Sequence, residues 1–320
     1  MVRGVCIIFV ILIHSLFMAD SMLINCGNIV IRKIINCAVA TFIFMAGYFT
    51  NIKSGESFIK KKVFRLLPAL IIWDLIYTFI VYVKNDFTPV LLLKTFALAG
   101  SASHLYYIYV LLQLFILAPL LVKFIKKFKN NKIVYLPFII TPIYNSLLLI
   151  LNIKYNTTIP LYQYYIFGWF SYYYLGLFMR ECKSFKKDKL KPLTIMSLVF
   201  LIFSILEGFF IYKYYNLYGL AVTQLGVINV FYSMTVCLIL CLLSSFNIKI
   251  NKFLKKMGDY SFGIYLSHMF VLINLNYISI NFTFNYYLIV LFKFLGVIII
   301  CYVFNKIYYD YLKDKISFMK

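Results

Sequence analysis

A short set of ionisable side chains sits inside stretches otherwise apolar enough for lipid: His14, Asp74, His104, Glu207, His268 and Lys293, with Gln113, Asn145 and Gln163 as uncharged companions. Each ionisable group at such depth costs about 2.5–3.5 kcal/mol on insertion scales, so each asks for a reason. Arg3 and His14 are the most suggestive pair. Eleven residues at 100° each return to within about 20° of a full number of turns, so both side chains project from one face of a helix. Their axial separation is about 16 Å, which puts a cation at the membrane surface and an imidazole base well inside it. That arrangement suits an anionic substrate entering from one side, although a surface anchor and a hydrogen-bonded core histidine would give the same spacing.

Two further regions carry chemistry-bearing residues. In Lys60-Lys61-Lys62-Val63-Phe64-Arg65, just before Leu66-Leu67-Pro68 opens a new apolar run, Lys62 and Arg65 lie three apart. On a helical turn they share a face, where they could grip a phosphate-bearing group or simply anchor the chain to lipid head groups. In Gly258-Asp259-Tyr260-Ser261-Phe262-Gly263-Ile264-Tyr265-Leu266-Ser267-His268, Asp259 suits the positive end of a helix that carries His268 two to three turns inward.

The elements that must position these residues are membrane helices. Of the 320 residues 63% are apolar, 20% aromatic and 13% charged, and the mean hydropathy of +0.89 is far above that of a water-soluble domain. The apolar stretches are continuous rather than alternating, which excludes a membrane barrel. Spans of about 20 residues fall near 4–20, 34–52, 66–83, 104–122, 133–152, 161–179, 193–212, 218–246, 260–281 and 284–309. The expected fold is therefore an all-α polytopic bundle of about 10 transmembrane helices in a single domain over 1–320, with no cleaved signal peptide. An apolar run at 90–99, too short to span, is expected to be interfacial or re-entrant.

The net charge of +22 comes from 32 Lys and Arg against 10 Asp and Glu. It lies in the short loops, where it records insertion topology and contact with anionic lipid rather than nucleic-acid binding. The basic clusters around Lys60, Lys126, Lys187 and Lys255 all fall on the side of the N-terminus. The other side holds Arg32, Lys33, Lys84, Lys94, Lys154 and Lys213. Both termini are thus expected to be cytoplasmic. The seven cysteines, mostly inside apolar runs and without a CxxC pair, suit small core residues and not a metal site.

Taken together, the Arg3-x10-His14 pair, Phe42-Ile43-Phe44-Met45-Ala46-Gly47-Tyr48-Phe49, Lys62-x-x-Arg65 before Leu67-Pro68, His104-Leu105-Tyr106-Tyr107 and Tyr260 to His268 follow in an order that resembles the acyltransferase-3 family of integral membrane O-acyltransferases. The resemblance covers nearly the whole chain. It implies a multi-pass protein of the bacterial plasma membrane that moves an acyl group, usually acetyl, from cytoplasmic acyl-coenzyme A to a hydroxyl of a cell-envelope glycan or lipid-linked glycan. Carried over by position, it implies His14 as the catalytic residue and Arg3, Lys62 and Arg65 as donor-binding residues, with no metal. Relatives commonly have arginine where this chain has Lys62, a point charge in place of a bidentate fork. Asp74, His104, Glu207 and His268 stand as further candidates for orienting the histidine or the acceptor. The rival reading is a transporter or exporter of an envelope precursor, since helices with a few buried charges suit that work too.

Overall fold

The computed structural model describes residues 1–52, 56–84, 102–156, 162–182, 187–243, 251–279 and 285–312. Among these residues the secondary structure is helical, joined by short turns, with no strand. The main helices are α1 (Val2–Ser15), α2 (Met22–Ile35), α3 (Cys37–Tyr48), α4 (Glu56–Lys84), α5 (Tyr106–Phe128), α6 (Ile140–Tyr155), α7 (Phe170–Cys182), α8 (Leu190–Tyr215), α9 (Val227–Leu243), α10 (Lys252–Asp259), α11 (Ser261–Ser279) and α12 (Tyr286–Ile307).

Seven helical stretches among the described residues are long and apolar enough to cross a membrane: Met22–Tyr48, Phe58–Ile80, Ser103–Phe128, Lys132–Tyr155, Leu190–Tyr215, Ser261–Ile278 and Tyr286–Asp310. The other expected spans coincide with the shorter helices α1, α7 and α9. Length follows position in the bundle. The α7 helix, buried over every residue from Phe170 to Leu177, lies inside protein, whereas α8 exposes Ile195, Leu198, Ile202 and Leu206 at helical spacing, a lipid-facing stripe. The apolar run at 90–99 lies outside the described residues.

One boundary differs materially from the sequence expectation. The span expected at 34–52 begins at Met22, because α2 and α3 form one membrane-crossing unit with a break at Asn36. Arg32 and Lys33, expected in an external loop, are therefore inside a helix, and Lys33 is fully buried. The physical reason is that this helix has polar partners. Asn25 Nδ2 donates to the Ala19 carbonyl (2.8 Å) and to Tyr212 Oη (3.0 Å), and Asn28 Nδ2 to Tyr286 Oη (2.7 Å) and the Phe17 carbonyl. At the break, Asn36 Nδ2 donates to the carbonyls of Val222 and Thr223. Polar side chains satisfied in this way can occupy a span at little cost.

The α1 helix packs against α3, α10, α11 and α12, so it runs through the middle of the bundle. The α3 and α7 helices approach as closely as backbones can. A Cβ at Gly47 would strike the Tyr173 carbonyl, and one at Gly176 would strike the Phe44 carbonyl and come within 2.6 Å of the Tyr48 amide nitrogen. Small residues at such a crossing replace the hydrophobic drive that lipid does not supply.

Candidate active site

The C-terminal turn of α1 presents His14, the short helical turn Ser103–Leu105 presents His104, and the middle of α11 presents His268. These three imidazoles, from distant parts of the sequence, form one cluster. Ring centroids are 5.2 Å apart for His14 and His268, 6.5 Å for His14 and His104, and 4.7 Å for His104 and His268. His268 and His104 are buried, whereas His14 is only partly so. His268 Nδ1 lies 2.6 Å from the Tyr265 carbonyl, and a hydrogen bond there fixes the ring and leaves Nε2 buried without a partner among the described residues. The loop after α1 is pinned by Asn25 and Asn28, which holds the end of the helix and its imidazole in place.

His14 and His104 line an internal cavity of about 260 Å³. Its wall also carries Arg32 from α2, Tyr106 and Tyr107 from α5, and Trp169, Gln224 and Tyr265. Tyr106 and Trp169 are stacked, with centroids 5.6 Å apart and planes at 20°, and Trp169 Nε1 donates to the Gln163 carbonyl (2.9 Å).

A second cavity, about 190 Å³, gathers the three cations singled out in the sequence. Arg3, Lys62 and Arg65 line it together with Phe42, Phe49 and Phe115. Arg3 lies 5.8 Å from the Phe49 ring centre, and Lys62 Nζ lies 5.2 Å from that of Phe115 and 5.7 Å from that of Phe58. Aromatic faces hold these cations without neutralising them, so their donors stay available to an anion. Among the described residues no ion pair involves any of the three.

Tyr107 and Tyr265 line both cavities, their ring centroids 5.1 Å apart. They form the shared wall between the cationic pocket and the histidine pocket. Tyr265 Oη donates to the His104 carbonyl, and Tyr77 Oη donates to the Leu266 carbonyl (2.7 Å), tying this part of α11 to α4 and to the turn carrying His104.

The remaining sequence candidates lie elsewhere. Asp74 is buried on α4, within electrostatic reach of Tyr109 and Tyr164, and does not line either cavity. Glu207 forms a buried ion pair with Lys33 (3.7 Å) and accepts from the Val227 amide (2.9 Å). Lys293 lies with its Nζ 4.3 Å from the centre of the Phe17 ring. Arg32 is the residue the sequence reading missed. Its signal is the helical recurrence of Asn25, Asn28 and Arg32, which marks one polar face of α2.

The acyltransferase domain model Acyl_transf_3 matches residues 1–306. No curated protein and no solved structure matches the chain. The family match covers nearly all of the sequence, and the helices are long and apolar enough for several membrane crossings: this chain belongs to the acyltransferase-3 family and is a multi-pass membrane acyltransferase.

Proposed function

We propose that the protein is an O-acyltransferase that carries an acyl group, acetyl first among candidates, from cytoplasmic acyl-coenzyme A to a hydroxyl of a cell-envelope glycan or a related acceptor. The observation that carries this reading is the pairing of two cavities through one wall: Arg3, Lys62 and Arg65 on one side of Tyr107 and Tyr265, and His14 and His104 on the other. Cations that make no ion pair among the described residues suit the donor's phosphates. The pantetheine arm then lies along α1, whose rise between Arg3 and His14 is about 16 Å, and brings the thioester to the imidazole.

In this scheme His14 removes the proton from the acceptor hydroxyl as its oxygen attacks the thioester carbonyl. A C–O bond forms, the C–S bond breaks, and the thiolate leaves as free coenzyme A after taking up the proton that His14 received. His268, held through Nδ1, lies beside His14 and keeps that ring in a polar setting. The residues Tyr107 and Tyr265 separate the donor's charged end from the reacting centre and keep bulk water from the thioester.

The test is transfer of labelled acetyl from acetyl-coenzyme A to endogenous glycan in membranes holding the wild-type chain, its His14→Ala variant at equal abundance, or neither. General-base removal predicts a loss of about 10²–10⁴-fold. Equal labelling with and without the wild-type chain, across a panel of acyl donors with the host's own acceptor present, would turn the reading toward transport.

A further inference from the structure

Two adjacent cations on α2 are treated in opposite ways. Lys33 has a carboxylate, Glu207, and that carboxylate borders a void of only about 20 Å³. Arg32 lines the 260 Å³ histidine cavity, and none of the ion pairs among the described residues includes it. Its Nη1 donates to the carbonyl of Ile13, the residue before His14. Its Nε is buried with no hydrogen-bond partner. Tyr106 and Tyr162, on the same cavity wall, bring hydroxyls and no carboxylate. A guanidinium at this depth is costly to leave without an anion. Where there is no room for a ligand the chain provides its own carboxylate, and where there is room it provides none among the described residues.

Position separates this cation from the donor pocket. Ile13 is ten residues from Arg3, about 15 Å along α1, so Arg32 sits at the histidine end of the helix, opposite the three cations of the other cavity. Ser103, Gln163, Thr223 and Gln224 bring hydroxyl and amide groups to the same wall, and the stacked Tyr106 and Trp169 bring flat apolar surface. At about 260 Å³ the cavity lies just below the ~300–1,000 Å³ of drug-sized sites, so it suits one ring bearing polar groups.

We propose that Arg32 binds an anionic substituent of the acceptor, so that the hydroxyl presented to His14 belongs to an acidic sugar unit carrying a carboxylate or a phosphate. This rests on the transfer reading only in calling the bound molecule the acceptor. The fork of the guanidinium takes two oxygens of either anion, and its bond to the Ile13 carbonyl fixes it beside the catalytic imidazole.

The test uses the full chain in lipid nanodiscs. Trp169 lines the cavity, so with Trp73→Phe removing the other tryptophan its fluorescence reads occupancy directly. Methyl glucuronide, glucose 6-phosphate and methyl glucoside serve as carboxylate, phosphate and neutral probes. At least one anionic probe is expected to bind tenfold or more tightly than the neutral one, and Arg32→Gln to erase that preference while coenzyme A binding persists. The stronger anion tells carboxylate from phosphate. No preference for either anion by the unsubstituted Arg32 chain overturns the proposal, as does a preference that survives in a folded Arg32→Gln protein. Acetyl transfer to the same probes is measured in parallel. Tight anion binding through Arg32 without transfer from any donor would count against the enzyme reading and leave the anion site standing. Equal transfer to methyl glucoside and the acidic probes would do the reverse.

Discussion

At the scale of single residues, the imidazoles of His14 and His104 share one chamber with Arg32, and Arg3, Lys62 and Arg65 line another. Lys62 and Arg65 share the cationic pocket with Arg3, the proposed donor site, and a hydrogen bond to a charged group is worth about 1.5–3 kcal/mol. Lys62→Gln or Arg65→Gln should therefore raise the KM for acetyl-coenzyme A about tenfold to a hundredfold and leave kcat nearly unchanged. Steady-state kinetics on purified protein checks this, and a fall in kcat without a change in KM would move these residues out of the donor site. The ion pair of Lys33 and Glu207 has a different role. Both partners are nearly inaccessible, and Gly226 leaves the space they occupy, since a Cβ there would lie 2.9 Å from each charged end. Glu207→Gln strands a buried ammonium and should cost about 3–5 kcal/mol of stability. The paired change of Lys33→Met with Glu207→Leu should recover most of that loss. Denaturation midpoints of the two variants in detergent decide it, and equal stability of Glu207→Gln and wild type would show that the pair contributes nothing.

At the scale of elements, the site depends on how closely α1, α3, α7 and α11 approach. Gly176 lets the α3 backbone lie against α7, and overpacking of a filled interior typically costs about 1–3 kcal/mol. Gly176→Leu should lower thermal stability by that order and weaken coenzyme A binding as well, because α3 carries Phe42, Met45 and Ala46 of the cationic pocket and Phe49 follows directly at its C-terminal cap. Thermal denaturation with and without coenzyme A measures both effects. Most of these helices were legible in the sequence, because continuous apolar runs have one stable solution in lipid. The spacing of Arg3 and His14 was legible for the same reason, being a property of one helix. The α2 helix was not. Asn25, Asn28, Arg32 and Lys33 read as a loop when only hydropathy is counted, and what makes them tolerable is supplied by Phe17, Tyr212, Tyr286 and Glu207 from other segments. The meeting of His14 with His104 and His268 is likewise a tertiary fact, as each residue taken alone reads equally well as a satisfied core histidine.

At the scale of the whole molecule, the bundle sets a cationic chamber toward the N-terminal end of α1 and a histidine chamber toward its other end, divided by Tyr107 and Tyr265. The basic clusters at Lys60–Arg65, Lys123–Lys132 and Lys252–Lys256 belong with that first end in the topology expected from the sequence, and the proposed donor pocket is assigned to the cytoplasmic face on that expectation. The account thus comes down to a one-sided reaction: donor enters where Arg3 lies, and the acyl group leaves it at His14. The most direct measurement supplies labelled acetyl-coenzyme A to sealed vesicles of either orientation and follows ester-linked label in the envelope glycan. The account predicts labelling when the cytoplasmic face is outward, none when it is inward, and loss of the signal with His14→Ala. Equal labelling from both faces, or labelling that persists in His14→Ala vesicles holding the same amount of inserted protein, would contradict it.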